Sequence, residues 1–276
     1  MRIFQIKFLL LIALFFAGCA KREIPEFKTE LRREIYIELS RDLSDKQYAP
    51  LLKELINDER FKIYELGAKK KTYDAVPVDH FKGTKFGLLT PAGRRAGRKF
   101  LNEHRTSLAR AAERFGLAPH SAETIAGLAG IEYSWGNLNP PYRLFNSLIS
   151  VYHTVPAQQR FALRNIRGLL EGINNPAIEI DPWASSSFMG AVGYCQLMPF
   201  WFTVITERGY EEKLDLNGDG IFNPFSMPDA IAFFAWYISE GNYNRNPKSA
   251  VASYAGSGST AKAFADAVLG FADSIR

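Results

Sequence analysis

Cysteine is nearly absent from this chain. Cys19 and Cys195 are the two among 276 residues, which excludes a framework of several disulfides. Should Cys19 be consumed by modification, Cys195 is a lone thiol, expected to pack inside as a small hydrophobe. Long apolar runs are equally scarce. Apart from one short run near the N-terminus, nothing approaches the roughly 20 residues of a membrane-spanning helix, which excludes a multi-span membrane protein. There is no internal repeat and no low-complexity tract. Strand-like alternation is missing beyond short ambiguous runs. With 47% hydrophobic and 13% aromatic residues, bulk disorder is excluded too. The length suits one core, or a core with a small second lobe.

The apolar run itself is informative. Arg2 and Lys7 give a positive start, residues 8–16 are unbroken hydrophobe, and Ala17 and Gly18 precede Cys19. This is the pattern of an export signal over residues 1–18, outside the fold. Small residues before a cysteine resemble the bacterial lipobox, with Phe16 where leucine is usual. That resemblance implies diacylglycerol on Cys19. Acyl chains at about 0.8 kcal/mol per buried CH₂ would then tether the protein firmly. An uncleaved short anchor is the alternative, and either one tethers an exported chain. Ala20 suits the periplasmic face of an outer membrane. Residues 19–45, polar and carrying Pro25, read as lipidated cysteine and tether, and residues 46–276 as the folded domain. The net charge is +5 and the pI about 9.1. An exported lipoprotein does not meet nucleic acid, so attraction to an anionic wall or membrane surface is the better reading of the charge. Its densest run, Lys69 to Lys71, is also what a solvated turn looks like. A monomer is expected.

Helical spacing dominates the remainder of the chain. Tyr48, Leu51, Leu52, Leu55 and Ile56 mark one helix, and residues 67–90 a connecting segment. Thr90 before Pro91 is an N-cap signal for a long helix that Gly116 ends. Another helix runs from Ser121 to near Gly136. Two more are expected within 142–172, then a loop over 173–190, then helices around 196–208, 227–240, 248–254 and 260–275. The class is mainly α.

Three segments carry chemistry. In Gly130-Ile131-Glu132-Tyr133-Ser134-Trp135-Gly136 a carboxylate ends an apolar helix. Burial disfavours its charged form, so Glu132 should hold a proton near neutral pH, as a general acid must. Lysozyme keeps its acid protonated in an apolar pocket by the same logic. A glutamate bridging to an arginine at a helix end has the same local pattern. In Gly190-Ala191-Val192-Gly193-Tyr194-Cys195-Gln196-Leu197-Met198-Pro199, two glycines permit close backbone approach and Gln196 offers a donor and an acceptor. A tightly packed helix start would look similar. In the third, Asp215, Asn217, Asp219 and Asn223 fall at loop positions 1, 3, 5 and 9, with Gly220 at 6 and the carbonyl of Ile221 at 7. This is EF-hand spacing, except that position 12 is Ser226 rather than glutamate. A weak or structural Ca²⁺ site is expected, or else an Asx-rich turn without metal.

In this order the segments resemble the membrane-bound lytic murein transglycosylase B family. Leu89-Thr90-Pro91 with Gly97, Phe100, His104, Leu108, Ala112, Arg114, Phe115 and Gly116 is similar to the family's long helix. Glu132 to Gly136 is similar to its Glu-Thr-x-Tyr-Gly segment. Ser187 to Pro199 resembles its glycine-rich Gln-Phe-Met-Pro segment, Asp215 to Ile231 its acidic loop, and Tyr254 to Ile275 its closing helix. The resemblance implies a lysozyme-like helical catalytic domain with a small Ca-loop-bearing lobe over residues 46–276. It implies cleavage of the MurNAc–GlcNAc β-1,4 bond of peptidoglycan with 1,6-anhydroMurNAc ends, without a cofactor for the chemistry. It places Glu132 as acid and base, Ser187, Gln196 and Tyr254 on substrate, and the domain against peptidoglycan.

Three departures stand out. Tyr133 replaces Thr or Ser, Tyr254-Ala255 replaces Tyr-Asn, and Gln158, Gln159 and Arg160 are nearest to a paired arginine. They keep a non-catalytic wall-binding lipoprotein open. A hydrolytic muramidase, with Glu179 or Asp181 as second carboxylate, is the other alternative.

Overall fold

The computed structural model describes residues 27–66 and 87–276. Cys19, the signal and the Lys69–Lys71 run lie outside them. Twelve α-helices make up the described fold. Residues read as tether form the first: α1, Glu30–Leu43, is capped by Thr29 and buries Ile35, Leu39 and Leu43 at four-residue spacing. Its polar composition hid this single apolar stripe. α2, Ala49–Asn57, packs beside it.

The long helix expected from Thr90 is two. Thr90 caps α3, Pro91–Glu103, and accepts from Gly93 N at 3.1 Å. His104 leaves helical geometry (φ −110°, ψ 17°), its ring against Phe100, and α4, Arg105–Arg114, continues. Gly116, at φ +61°, ends it. α5, Ser121–Tyr133, is the central helix. Thr124 to Gly130 are all buried, so it has no solvent face to alternate with a core face. Helices α3, α4, α10 (Met227–Glu240) and α12 (Gly258–Ile275) enclose it. Small residues permit the closeness: a Cβ on Gly127 would stand 3.1 Å from Val268.

α6, Leu144–Thr154, and α7, Gln159–Asn174, form an antiparallel pair that supports the loop region. Two short antiparallel strands, β1 (Tyr142–Arg143) and β2 (Ser185–Ser186), sit at its edge. α8 (Phe200–Arg208) starts later than its expected position 196 because residues 192–197 form a tight hairpin instead. α9 (Glu211–Leu214) and α11 (Pro247–Tyr254) complete the set. Among the described residues no helix is long and apolar enough to cross a membrane.

Candidate active site

Glu132 is the second-last residue of α5. The residue as a whole is half-buried, but the surrounding atoms strip its carboxyl of water, and this desolvation pushes its pKa from 4.5 up to about 8. Among the described residues it has no hydrogen bond and no ion pair, so the arginine bridge considered above is not formed. At neutral pH it is therefore chiefly a protonated acid.

The backbone beyond Glu132 is unusual. Ser134, Trp135 and Gly136 all have positive φ, at 49°, 53° and 93°. Consecutive left-handed residues other than glycine cost roughly 1–2 kcal/mol each and need outside support. Trp135 supplies it by folding back onto its own helix. Its indole Nε1 donates to Ala126 O at 2.9 Å, and its ring fills a notch left open by Gly130, where a Cβ would stand 2.5 Å away. Phe271 of α12 closes the notch.

The hairpin over 192–197 faces this turn. Val192 and Leu197 exchange backbone hydrogen bonds at 2.9 and 2.8 Å. Gly193 needs both its positive φ (+71°) and its missing side chain, because a Cβ would meet Pro224 O at 2.3 Å. Tyr194 N donates to Pro224 O, and the Tyr194 ring meets Tyr133 edge-on at 5.2 Å. Gln196 sits at the tip with φ +47°, its Nε2 donating to Gly193 O at 3.1 Å. Cys195 is fully buried, and burial raises its thiol well above the ordinary range.

Tyr254, the last residue of α11, donates its hydroxyl to Cys195 O at 2.5 Å. Burial raises its phenol well above the usual value, and the charges of Cys195 and then Glu132 push the same way. Tyr254 and the Gln196 hairpin are thus brought to Glu132. Ser187 is placed differently: its Oγ accepts from Ala191 N at 2.9 Å, shaping the turn that leads into the hairpin. Tyr237 packs on Tyr254 at 4.8 Å and Trp201 on Tyr237 at 5.5 Å. This aromatic band borders a cavity of about 270 Å³ that the Arg208–Glu240 ion pair flanks. Sequence reasoning missed Tyr237 and Trp201, because inside apolar helices they look like any core aromatic.

The acidic loop is a brace for the same hairpin. Asp215 accepts from Gly218 N and Gly220 N, and Asp219 from Ile221 N and Asn217 Nδ2. Asn223 Oδ1 accepts from Phe225 N while its Nδ2 donates to Glu179. Ser226 stands at the start of α10 and meets the loop only through its backbone N, which donates to Asn223 O at 2.9 Å; the carboxylate that reaches the loop is Asp229, fully buried. It accepts from Leu216, Asn217 and Asn223 backbone N–H groups. Desolvation raises its pKa against the pull of those bonds. Among the described residues no three His, Cys, Asp or Glu side chains converge as a metal site. With Asp215 and Asp219 already occupied by N–H donors, the set fits a weak oxygen-ligated cation at most.

A helical fold whose enclosed central helix ends on a desolvated carboxyl is of the lysozyme-like class, and solved structures share it. The catenated lytic transglycosylase SltB1 from Pseudomonas aeruginosa aligns with TM-score 0.69, 20% identity, over 90% of this chain and 97% of that one. The lytic transglycosylase Slt35 of Escherichia coli, solved with bulgecin A, aligns with TM-score 0.60 at 21% identity, over 78% of this chain and 64% of that one. Slt35 has also been solved with calcium. Residues 40–266 match the transglycosylase SLT domain family, and the chain belongs to it. The membrane-bound lytic murein transglycosylase B of Escherichia coli (strain K12) is 27% identical over 166 residues, 59% of this chain. The match spans 42% of that relative's length.

Proposed function

We propose that this protein is a peptidoglycan lytic transglycosylase that cleaves the MurNAc–GlcNAc β-1,4 bond with Glu132 as its one acid and base. The observation that carries this is the desolvated Glu132 carboxyl, which has no hydrogen bond or ion pair among the described residues. Protonated near neutral pH, it donates its proton to the glycosidic oxygen as the bond to the anomeric carbon breaks. The carboxylate so formed takes the proton of the muramic 6-hydroxyl while that oxygen bonds to the anomeric carbon. Proton and electron pairs balance, no water enters, and a 1,6-anhydroMurNAc end results. Ring closure within one sugar supplies the nucleophile at high effective concentration.

A two-carboxylate mechanism needs a second acidic group close by. Glu179 is held by Asn223 and Asp181 by Trp183 N, and neither contributes to the Glu132 shift. This favours the single-carboxyl reading over hydrolysis. Gln196 and Tyr254 would contact the glycan, Tyr254 also holding the hairpin in place, and Ser187 would act on the same strand through its turn. Calcium, where bound, would only brace the loop of Asp215, Asn217, Asp219, Ile221 and Asn223. Lipid on Cys19 would hold the domain, as a monomer, at the periplasmic face of the outer membrane, within reach of peptidoglycan.

Digestion of purified sacculi tests the reading. Released muropeptides should be lighter than reducing ones by one water, about 18 Da, and Glu132→Gln should release none while remaining folded. Reducing ends would identify a hydrolytic muramidase. Binding to sacculi without release would identify a wall-binding protein.

A further inference from the structure

α7 carries a stripe of arginines that the reaction above does not use. Arg160, Arg164 and Arg167 recur at helical spacing, and with Leu163, Asp42 and Leu43 they line a cavity of about 260 Å³ between α7 and the end of α1. All three guanidinium groups lie on the exposed side of the helix. Among the described residues none of them pairs with a carboxylate. Like charges at such spacing repel by a few tenths of a kcal/mol per pair, so the stripe opposes folding unless an anion joins it.

Two of the three groups are also held in place. Arg167 Nη2 donates to Leu43 O at 3.0 Å. Arg164 stacks over the Phe200 ring at 4.0 Å, which leaves its edge N–H groups free. The one acid in the cavity is already committed. Asp42 accepts from Tyr152 Oη at 2.5 Å and Arg41 Nε at 2.9 Å, which holds its carboxyl below the usual range. Glu38, nearby on α1, receives Gln159 Nε2.

We infer that this cavity binds a carboxylate of the peptide stems attached to the glycan, an inference that rests on the function proposed above. Forked guanidinium donors match carboxylates in pairs. The position favours a substrate over a membrane. Phe200, under Arg164, follows the Gln196-to-Pro199 segment directly, and Gly168 of α7 packs on Pro199, where a Cβ would stand 2.2 Å from its carbonyl oxygen. The chain enters the described fold at Phe27, at the opposite end of the 14-residue α1, about 20 Å away at 1.5 Å per residue. A concave site also suits one charged group better than a flat lipid surface does.

The test compares the full-length protein with its R160Q/R164Q/R167Q variant by calorimetric titration with a free acidic stem peptide and the same peptide with its carboxylates amidated. The wild type should bind the acidic peptide and lose it on amidation. The triple variant should bind it about tenfold more weakly, the combined loss of several partly exposed charged contacts. Both proteins should cleave peptide-free glycan strands at equal rates, while the variant's KM for peptide-bearing strands rises. Equal peptide affinity in the two proteins, or undiminished binding of the amidated peptide, would overturn the inference. So would a variant that differs only in binding to phosphatidylglycerol vesicles or to inorganic phosphate. Failure of both proteins to cleave peptide-free strands would count against the catalytic reading alone, because the peptide titration is independent of turnover.

Discussion

Replacing Glu132 by glutamine should make the protein more stable, and increasingly so as the pH rises. The native carboxyl has its pKa raised from 4.5 to about 8, and desolvation is the cause. An acid with a raised native pKa holds its proton in the folded state while the unfolded chain has already released it. Between those two values the unfolded state binds fewer protons, so stability falls with pH by about 1.4 kcal/mol per pH unit. The loss is complete above pH 8 and amounts to at most about 5 kcal/mol. Glutamine has nearly the same shape and no charge to bury, so it escapes the loss. Urea denaturation of both proteins at pH 5, 7 and 9 measures the difference. It should be small at pH 5, larger at 7 and largest at 9, with unchanged m-values. The wild-type kcat should fall along a limb near pH 8 as the acid deprotonates. A stability difference that is flat from pH 5 to 9 would refute the reasoning. It would mean that Glu132 is an ordinary solvated carboxyl with no proton to give at neutral pH.

Two further outcomes rest on the same geometry. Trp135→Phe keeps most of the ring in the Gly130 notch but loses the 2.9 Å bond to Ala126 O, a loss of about 1 kcal/mol. Because that bond supports the left-handed turn beside Glu132, kcat should fall with KM unchanged. Equal losses in stability alone, with kcat intact, would make Trp135 a packing residue only. Calcium at tenfold its Kd should stabilise the fold by about 1.4 kcal/mol in thermal melts, and Asp215→Asn should remove the effect. No shift with either calcium or chelator would leave the loop as a turn held by its own hydrogen bonds.

Where a residue's role is local, its sequence neighbourhood revealed it. The apolar run from Ile125 to Ile131 announces a buried helix, and a glutamate at its end can only be desolvated or paired. Thr90-Pro91 announces a helix start because capping involves three or four adjacent residues. The same local signals led to one helix where two exist, because nothing near His104 is a Gly or Pro. They also turned α1 into tether, because Ile35, Leu39 and Leu43 are few among charges and their burial depends on distant partners.

What stayed hidden depends on long-range contact, and the acidic loop is the clearest instance. Read along the chain, it lacks its twelfth ligand at Ser226. In space, Asp229 reaches the loop from α10 and fixes Leu216, Asn217 and Asn223. The ordered loop presents Pro224 O to Tyr194 N and leaves Gly193 no room for a side chain. Tyr254 then anchors the same hairpin from the other side through Cys195 O. A segment roughly 80 residues beyond Glu132 in sequence thus supports the wall that faces it. Such coupling explains why the acidic loop belongs to the site whether or not it holds a cation: its carboxylates act first on backbone N–H groups, and through them on the shape of the hairpin beside Glu132.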